Sequence, residues 1–193
     1  MHPGVGARSI AQLVEIAKQK PGVMNYGSAG VGSATHLAGA LFVAKAGVDI
    51  VHVPYKGGSD VITEIVSGRL QMTFVPPAFL LSQIKDGRVL ALGVGMKEPM
   101  REPIEVPTVR SGGVDYEFTT WYGVLAPAKV PAPVLQRLAS AILQTLEDKD
   151  LLERFRGQGL IPRNITLRDF DAYIRADMEK LAPVIKASGA KAN

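Results

Sequence analysis

The stretch Asn25-Tyr26-Gly27-Ser28-Ala29-Gly30-Val31-Gly32-Ser33-Ala34-Thr35-His36 decides the fold. Residues 23–26 read as a short strand and residues 27–33 as a glycine- and serine-rich turn. Residues 35–46 read as a helix with Leu37, Ala38, Leu41 and Phe42 on one side and Gly47 as its stop. Glycine permits positive φ and a close approach of the backbone to a bound group, while the free N–H groups of a first helical turn point at that group. An anion is the natural occupant, since the helix dipole favours negative charge by about 0.3–1 kcal/mol.

The same alternation runs outward on both sides. Upstream, Ser9 caps a helix with Ile10, Leu13, Val14 and Ile16 on one face, ended by Lys20-Pro21-Gly22. Downstream come a strand at 49–53, a turn at 54–58, a helix at 60–66 ended by Gly68, and a strand at 70–75. A helix at 79–85, closed by Asp86-Gly87, and a strand at 89–94 complete the pattern. Strands separated by helices of about ten residues place the chain in the α/β class with a mostly parallel sheet. Residues 97–113 carry Pro99, Pro103 and Pro107 and read as a surface connection. Beyond them an apolar strand is expected at 118–125, then helices at 134–147, 150–157 and 167–186 with a short strand at 160–163. Thr166 with Asp169 three positions on resembles a capping box. The change from alternating to helical character falls at 119–127, which divides the chain into residues 1–120 and 121–193.

Composition sets the outer bounds. Hydrophobic residues make up 47% of the 193 positions and charged residues 21%, which belongs to a packed globular chain. The net charge of +4 is spread along the sequence with no basic run, so nucleic acid is not an expected partner. Cysteine is absent, which excludes a disulfide framework, a thiolate zinc site and a cysteine nucleophile. No apolar run reaches the roughly 18 residues that span a bilayer, so membrane insertion is not expected. Residues 1–9 lack the charged start and apolar stretch of a signal peptide.

Chemistry-bearing residues gather at the ends of the expected strands. Gly27, Ser28, Ala29, Gly30, Gly32 and Ser33 form the anion turn, with hydroxyls of Ser28, Ser33 and Thr35 as added donors and His36 in the helix behind them. After the next strand, Tyr55, Lys56 and Gly57 offer a ring with a polar tip, a point charge and exposed amides, a set that suits a carboxylate. Val75 and Pro76 follow a third strand as a cleft wall, and Trp121 stands at the expected crossing between lobes. A turn that simply requires glycine, a surface lysine beside a loop tyrosine, and a core tryptophan are the plainer readings of the same residues. Nucleotide patterns fail: Ser33-Ala34 follows Gly32 where a P-loop needs Lys and Ser or Thr, and Thr35 replaces the third glycine of a dinucleotide fingerprint. No pair among His2, His36 and His52 has metal-ligand spacing, so neither a metal nor a cofactor is expected. A Ser33–His36 pair is the remaining hydrolytic arrangement, and it has no identifiable orienting acid.

Several of these motifs together resemble the Bug family of solute receptors, which serve tripartite tricarboxylate transporters. The resemblance rests on residues 13–22, the stretch from Asn25 to Ser33, His36-Leu37-Ala38-Gly39 and Val51-His52-Val53-Pro54-Tyr55-Lys56-Gly57-Gly58. It extends to Val106-Pro107-Thr108, Thr119-Thr120-Trp121-Tyr122-Gly123, Ala126-Pro127 and Lys186-Ala187-Ser188-Gly189-Ala190. It implies a type II periplasmic-binding-protein-like fold that closes on a small organic carboxylate like a clam shell, catalyses nothing, and delivers the ligand to membrane transporter subunits. Residues 1–120 then correspond to the second, ligand-binding lobe and residues 121–193 to the hinge and the returning helices of the first. Family members begin with a further stretch of the first lobe, which implies that this sequence is truncated at its start, its export signal lying outside it. The returning helices would then expose apolar faces, for which a homodimer is one expected cover. Val75-Pro76-Pro77 departs from the more polar residues usual after that strand.

Overall fold

The structure is a computed structural model that describes residues 1–190. Three short parallel strands form its sheet: β1 (Asn25–Ser28) lies between β2 (Val51–Pro54) and β3 (Met72–Thr73). The register sets Ser28 beside Pro54 and Gly27 beside Thr73, so all three strands end at one edge. Each strand leads into a helix or turn on that edge, which is where open α/β sheets hold ligands.

Helices cover both faces of the sheet. On one side, α1 (Ile10–Gln19) and α2 (Ala34–Ala46) pack Ile10, Leu13, Ala17, Phe42 and Ala46 against Met24, Tyr26, Ile50 and Met72. On the other, α3 (Gly58–Val66) buries Val61 and Ile65 with Leu70, Leu80 and Val89, the last two flanking the short α4 (Leu81–Lys85). The alternation of β1 fits this double burial: Tyr26 joins the first cluster, while at Gly27 any β-carbon would collide with Leu70 and crowd Val61 of the second. Local signals act as the sequence suggests, since the Ser9 and Ser33 hydroxyls accept from the backbone N–H groups of Gln12 and His36, and Gly47 closes α2 with φ of 61°.

Chain contacts divide the molecule into two units, Met1–Thr120 with residues 184–190, and Trp121–Pro183. The second unit holds α5 (Ala132–Thr145), α6 (Lys149–Gly157) and most of α7 (Leu167–Ser188). Every buried hydrophobic residue lies between Met1 and Tyr116, and no residue of the second unit is buried. Within it, the Trp121 indole N–H donates to the Asp177 carboxylate at 3.0 Å, and its ring meets Phe170 and Tyr173 edge-on.

Three expected strands do not form. At 89–94 the backbone of Leu90 instead exchanges both hydrogen bonds with Met1, an antiparallel pair only one residue long, and Val94 makes an isolated bridge to Thr108. The run 118–125 keeps a single bond from Phe118 N–H to the Gly95 carbonyl and then exposes Tyr122, Val124 and Leu125. Residues 160–163 have no ladder at all, so apolar composition there found no neighbour to pair with. The strand expected at 70–75 shrinks to Met72–Thr73. The capping box at Thr166 is also absent: Asp169 N–H bonds to the Thr166 carbonyl, and Leu167 begins α7 with φ of 51°. Residues 191–193 of the expected C-terminal part lie outside the described residues.

Candidate functional site

The turns after β1 and β2 lie side by side. Tyr55 N–H donates to the Ser28 carbonyl at 2.9 Å, and a β-carbon at Gly30 would stand 3.4 Å from the Tyr55 carbonyl oxygen. Gly30 and Gly32 have φ of 123° and 80°, conformations that side chains other than glycine resist. The two turns feed the N-termini of α2 and α3, so two helix dipoles end at one edge of the sheet.

Most polar groups of the first turn point inward, contrary to their expected role as ligand donors. Ser28 is wholly buried; its hydroxyl lies 2.6 Å from His52 Nε2, accepts from Gly30 N–H and donates to the Gly30 carbonyl. Ser33 Oγ donates to the Gly30 carbonyl at 2.7 Å, and Thr35 Oγ1 accepts from Ala29 N–H at 2.9 Å. His36, only 3% exposed, accepts from Gly32 N–H through Nδ1. The amides of Ala29, Gly30, Gly32 and Ser33 are therefore engaged within the turn. Free donors at α2 reduce to the amides of Ala34 and Thr35, since the His36 N–H bonds to Ser33 Oγ and the Leu37 N–H to the Ser33 carbonyl.

The second turn is different. Gly57 caps α3 with extended backbone and no side-chain hydrogen bond, and a β-carbon at Gly57 or Gly58 would meet nothing within 4 Å. The first amides of α3 thus have no side-chain cap to satisfy them, and the backbone at Gly57 and Gly58 borders open space. The expectation of exposed amides at the two glycines, Gly57 and Gly58, did not extend to Ser59; the signal for an open helix start was the lack of Ser, Thr, Asp or Asn at the cap position. Lys56 is exposed beside this opening, and Asp60 places a carboxylate in the first turn of α3. Tyr55 packs its ring against the Val61 and Ile65 cluster, and burial followed by Glu64 raises its pKa. Val75 packs on that same cluster and Pro76 caps a short 3-10 turn at Pro77–Phe79, so the wall expected there is core packing. Trp121 belongs to the second unit and spends its N–H on Asp177.

No catalytic pair is assembled from Ser33 and His36, since it is the His36 backbone N–H, not its ring, that meets Ser33 Oγ. Among the described residues, no group of His, Asp and Glu is placed to hold a metal ion, and no helix is long and apolar enough to cross a membrane.

Comparison with known proteins now decides the family. Residues 2–190 match the model described as tripartite tricarboxylate transporter family receptor. The chain belongs to this family. A receptor-family relative from Agrobacterium vitis, a UPF0065 protein, is 33% identical over 94% of this chain and 54% of its own length. BugT of Bordetella pertussis is 25% identical over 98% of this chain and 59% of its own length. Among solved structures, an R. palustris protein determined with adipate aligns with a TM-score of 0.88 and 26% identity, covering 98% of this chain and 64% of that one. A structure described as a periplasmic transporter gives 0.87 and 29%, with the same coverage. BugD, a periplasmic binding protein, shares the fold at a TM-score of 0.80 and 23% identity, over 96% of this chain and 63% of its own. The fold is therefore that of the periplasmic binding proteins. The chain spans about half the length of the curated relatives it matches.

Proposed function

We propose that this chain is the ligand-holding part of an extracytoplasmic receptor that captures a small organic carboxylate and hands it to a tripartite transporter. The observation that carries the reading is the convergence of two helix N-termini at one sheet edge, one of them, at α3, left without a side-chain cap over open space. Lys56 adds positive charge, which offsets Asp60 in the first helical turn. Family membership and two similar folds support the ligand class, since one was solved with adipate and another, a Rhodopseudomonas palustris protein at 20% identity, with bound malate. The chain is read as a binder and not an enzyme because Ser28, the serine that does meet a histidine ring, is wholly buried and has no carboxylate orienting its partner. Within the reading, residues 1–120 are the ligand-binding lobe and residues 121–193 the returning part of the other. The helices of that part expose Val134, Leu138 and Met178, and a second copy of the chain is the cover the reading expects for them.

Calorimetric titration with malate and adipate tests the proposal. Gly58 is the first helical residue of α3, where proline is tolerated, and Gly57 before it is already extended, so Gly58→Pro removes one amide N–H without breaking the helix. The expected result is carboxylate binding that weakens about tenfold in Gly58→Pro, the loss of one hydrogen bond to a charged group. Absence of binding to either acid, or equal binding by the variant, refutes it.

A further inference from the structure

Behind the anion turn lies a feature the ligand reading does not use. The rings of His36, on α2, and His52, on β2, stack with centroids 4.0 Å apart and an interplanar angle of 21°. Tyr26 stacks on the far face of the arrangement, 4.9 Å from His52. Each imidazole holds one end of the turn: His36 Nδ1 accepts from Gly32 N–H at 3.1 Å, and His52 Nε2 meets the Ser28 hydroxyl, which in turn accepts from Gly30 N–H. The two glycines with positive φ are thus the two whose amides this pair governs, directly or through Ser28.

We propose that His36 and His52 are positioning residues, a stacked pair of neutral imidazoles that fixes the Gly30–Ser33 turn in its anion-facing shape. The proposal rests on the carboxylate reading for the purpose of that shape. Its chemistry is asymmetric. A protonated His52 still donates to Ser28, whereas a protonated His36 presents N–H to the Gly32 N–H and loses that bond outright. The surroundings keep both rings neutral. The cleft beside His52 is lined by Ala40, Val43, Ala44 and Ile50, by Tyr26, and by Val184, Ala187 and Ser188 from the end of α7. Among these described residues Tyr26 alone titrates, and burial pushes its phenol up to about 12. Burial lowers the pKa of both histidines, and His52, which also feels His36, falls to about 4.

Two readouts on the 193-residue chain test this, one independent of ligand. Hydrogen exchange at the Gly32 amide is followed from pH 8 to 4.5 in the parent, in His36→Phe, which keeps a ring for the stack but no acceptor, and in His36→Asn, whose amide oxygen reaches the Nδ1 position without titrating. Dissociation constants for malate are measured on the same samples, and because malate itself titrates in this range, the quantity read is the ratio of parent to His36→Asn. The expected result is Gly32 protection that is lost toward acid pH in the parent, below the ordinary imidazole range because burial lowers the His36 pKa, at least tenfold lower protection and about tenfold weaker malate binding in His36→Phe, and recovery without the acid loss in His36→Asn. Unchanged Gly32 protection in His36→Phe, or an acid loss that persists in His36→Asn, overturns the positioning role. If His36→Phe does not fold, the parent and His36→Asn decide through Gly32 alone. A parent that binds no malate while Gly32 behaves as expected refutes the carboxylate reading and leaves the hydrogen-bonded pair standing.

Discussion

Gly39 gives the sharpest test of how the sheet supports this site. It lies on α2 against the ring of Tyr26, and a β-carbon there would stand 2.7 Å from Cζ and closer still to Cδ2 and Cε2. Ordinary carbon contacts are about 3.5–4.0 Å, so Gly39→Ala obliges the ring to move by about 1 Å or more. The ring is held on two sides: it is 3% exposed, stacked on His52 on one and edge-on to Phe74, at 6.0 Å, on another. Overpacking of this kind costs roughly 1–3 kcal/mol, and displacement of a whole buried ring belongs at the upper end. Alanine returns about 1 kcal/mol through helix propensity, which leaves a net loss of about 2 kcal/mol. With a urea slope of about 2 kcal/mol per molar, the midpoint falls by about 1 M. Combining Gly39→Ala with Tyr26→Leu, which vacates the space, should give a coupling of about 1 kcal/mol or more in a double-mutant cycle. Equal stability of Gly39→Ala and the parent, or strict additivity in the cycle, refutes the reasoning.

Other expectations follow from single observations. Gly47→Ala places a β-carbon at φ of 61° and should cost about 1 kcal/mol in the same assay, with an unchanged midpoint counting against the cap. Trp121 is the sole tryptophan and sits in the unit without buried residues, so its fluorescence should change at lower urea than amide exchange at Ile65 in the first unit. Coincident transitions would show that the second unit shares the stability of the first.

What could be read from the sequence was what depends on near neighbours. Ser33 with the His36 amide, Ser9 with the Gln12 amide and Gly47 after α2 are contacts within three or four residues, and the α/β alternation of the first half follows from them and from apolar spacing. Apolar runs at 89–94 and 118–125 were strand-like in composition, yet a strand exists only through a partner's ladder, and Leu90 finds a single one at Met1. The glycine- and serine-rich turn between β1 and α2 was legible as a turn into a helix start. That its hydroxyls turn inward was not, because the group that draws Ser28 in is His52, 24 residues away on another strand. The uncapped start of α3 was legible in principle, as the lack of Ser, Thr, Asp or Asn at the cap position of a helix.

These inward bonds determine what kind of recognition the site performs. A turn whose amides and hydroxyls already satisfy one another is held in one shape before any ligand arrives, and such preorganisation reduces the ordering cost of binding. On the proposed carboxylate reading it also leaves few groups to distinguish one ligand from another: amides at the starts of α2 and α3 and the Lys56 charge would answer to negative charge and not to the length or substitution of the carbon chain behind it. Discrimination among acids requires groups that are left unpaired by the wrong one, and this wall offers none beyond its anion donors. Malate and adipate should therefore bind the chain within about tenfold of each other, since a hydroxyl or two methylenes beyond the charged end touch nothing built to sense them. A hundredfold preference in calorimetry would mean that residues outside the two turns read the ligand directly, and would move the centre of the site away from the α3 N-terminus.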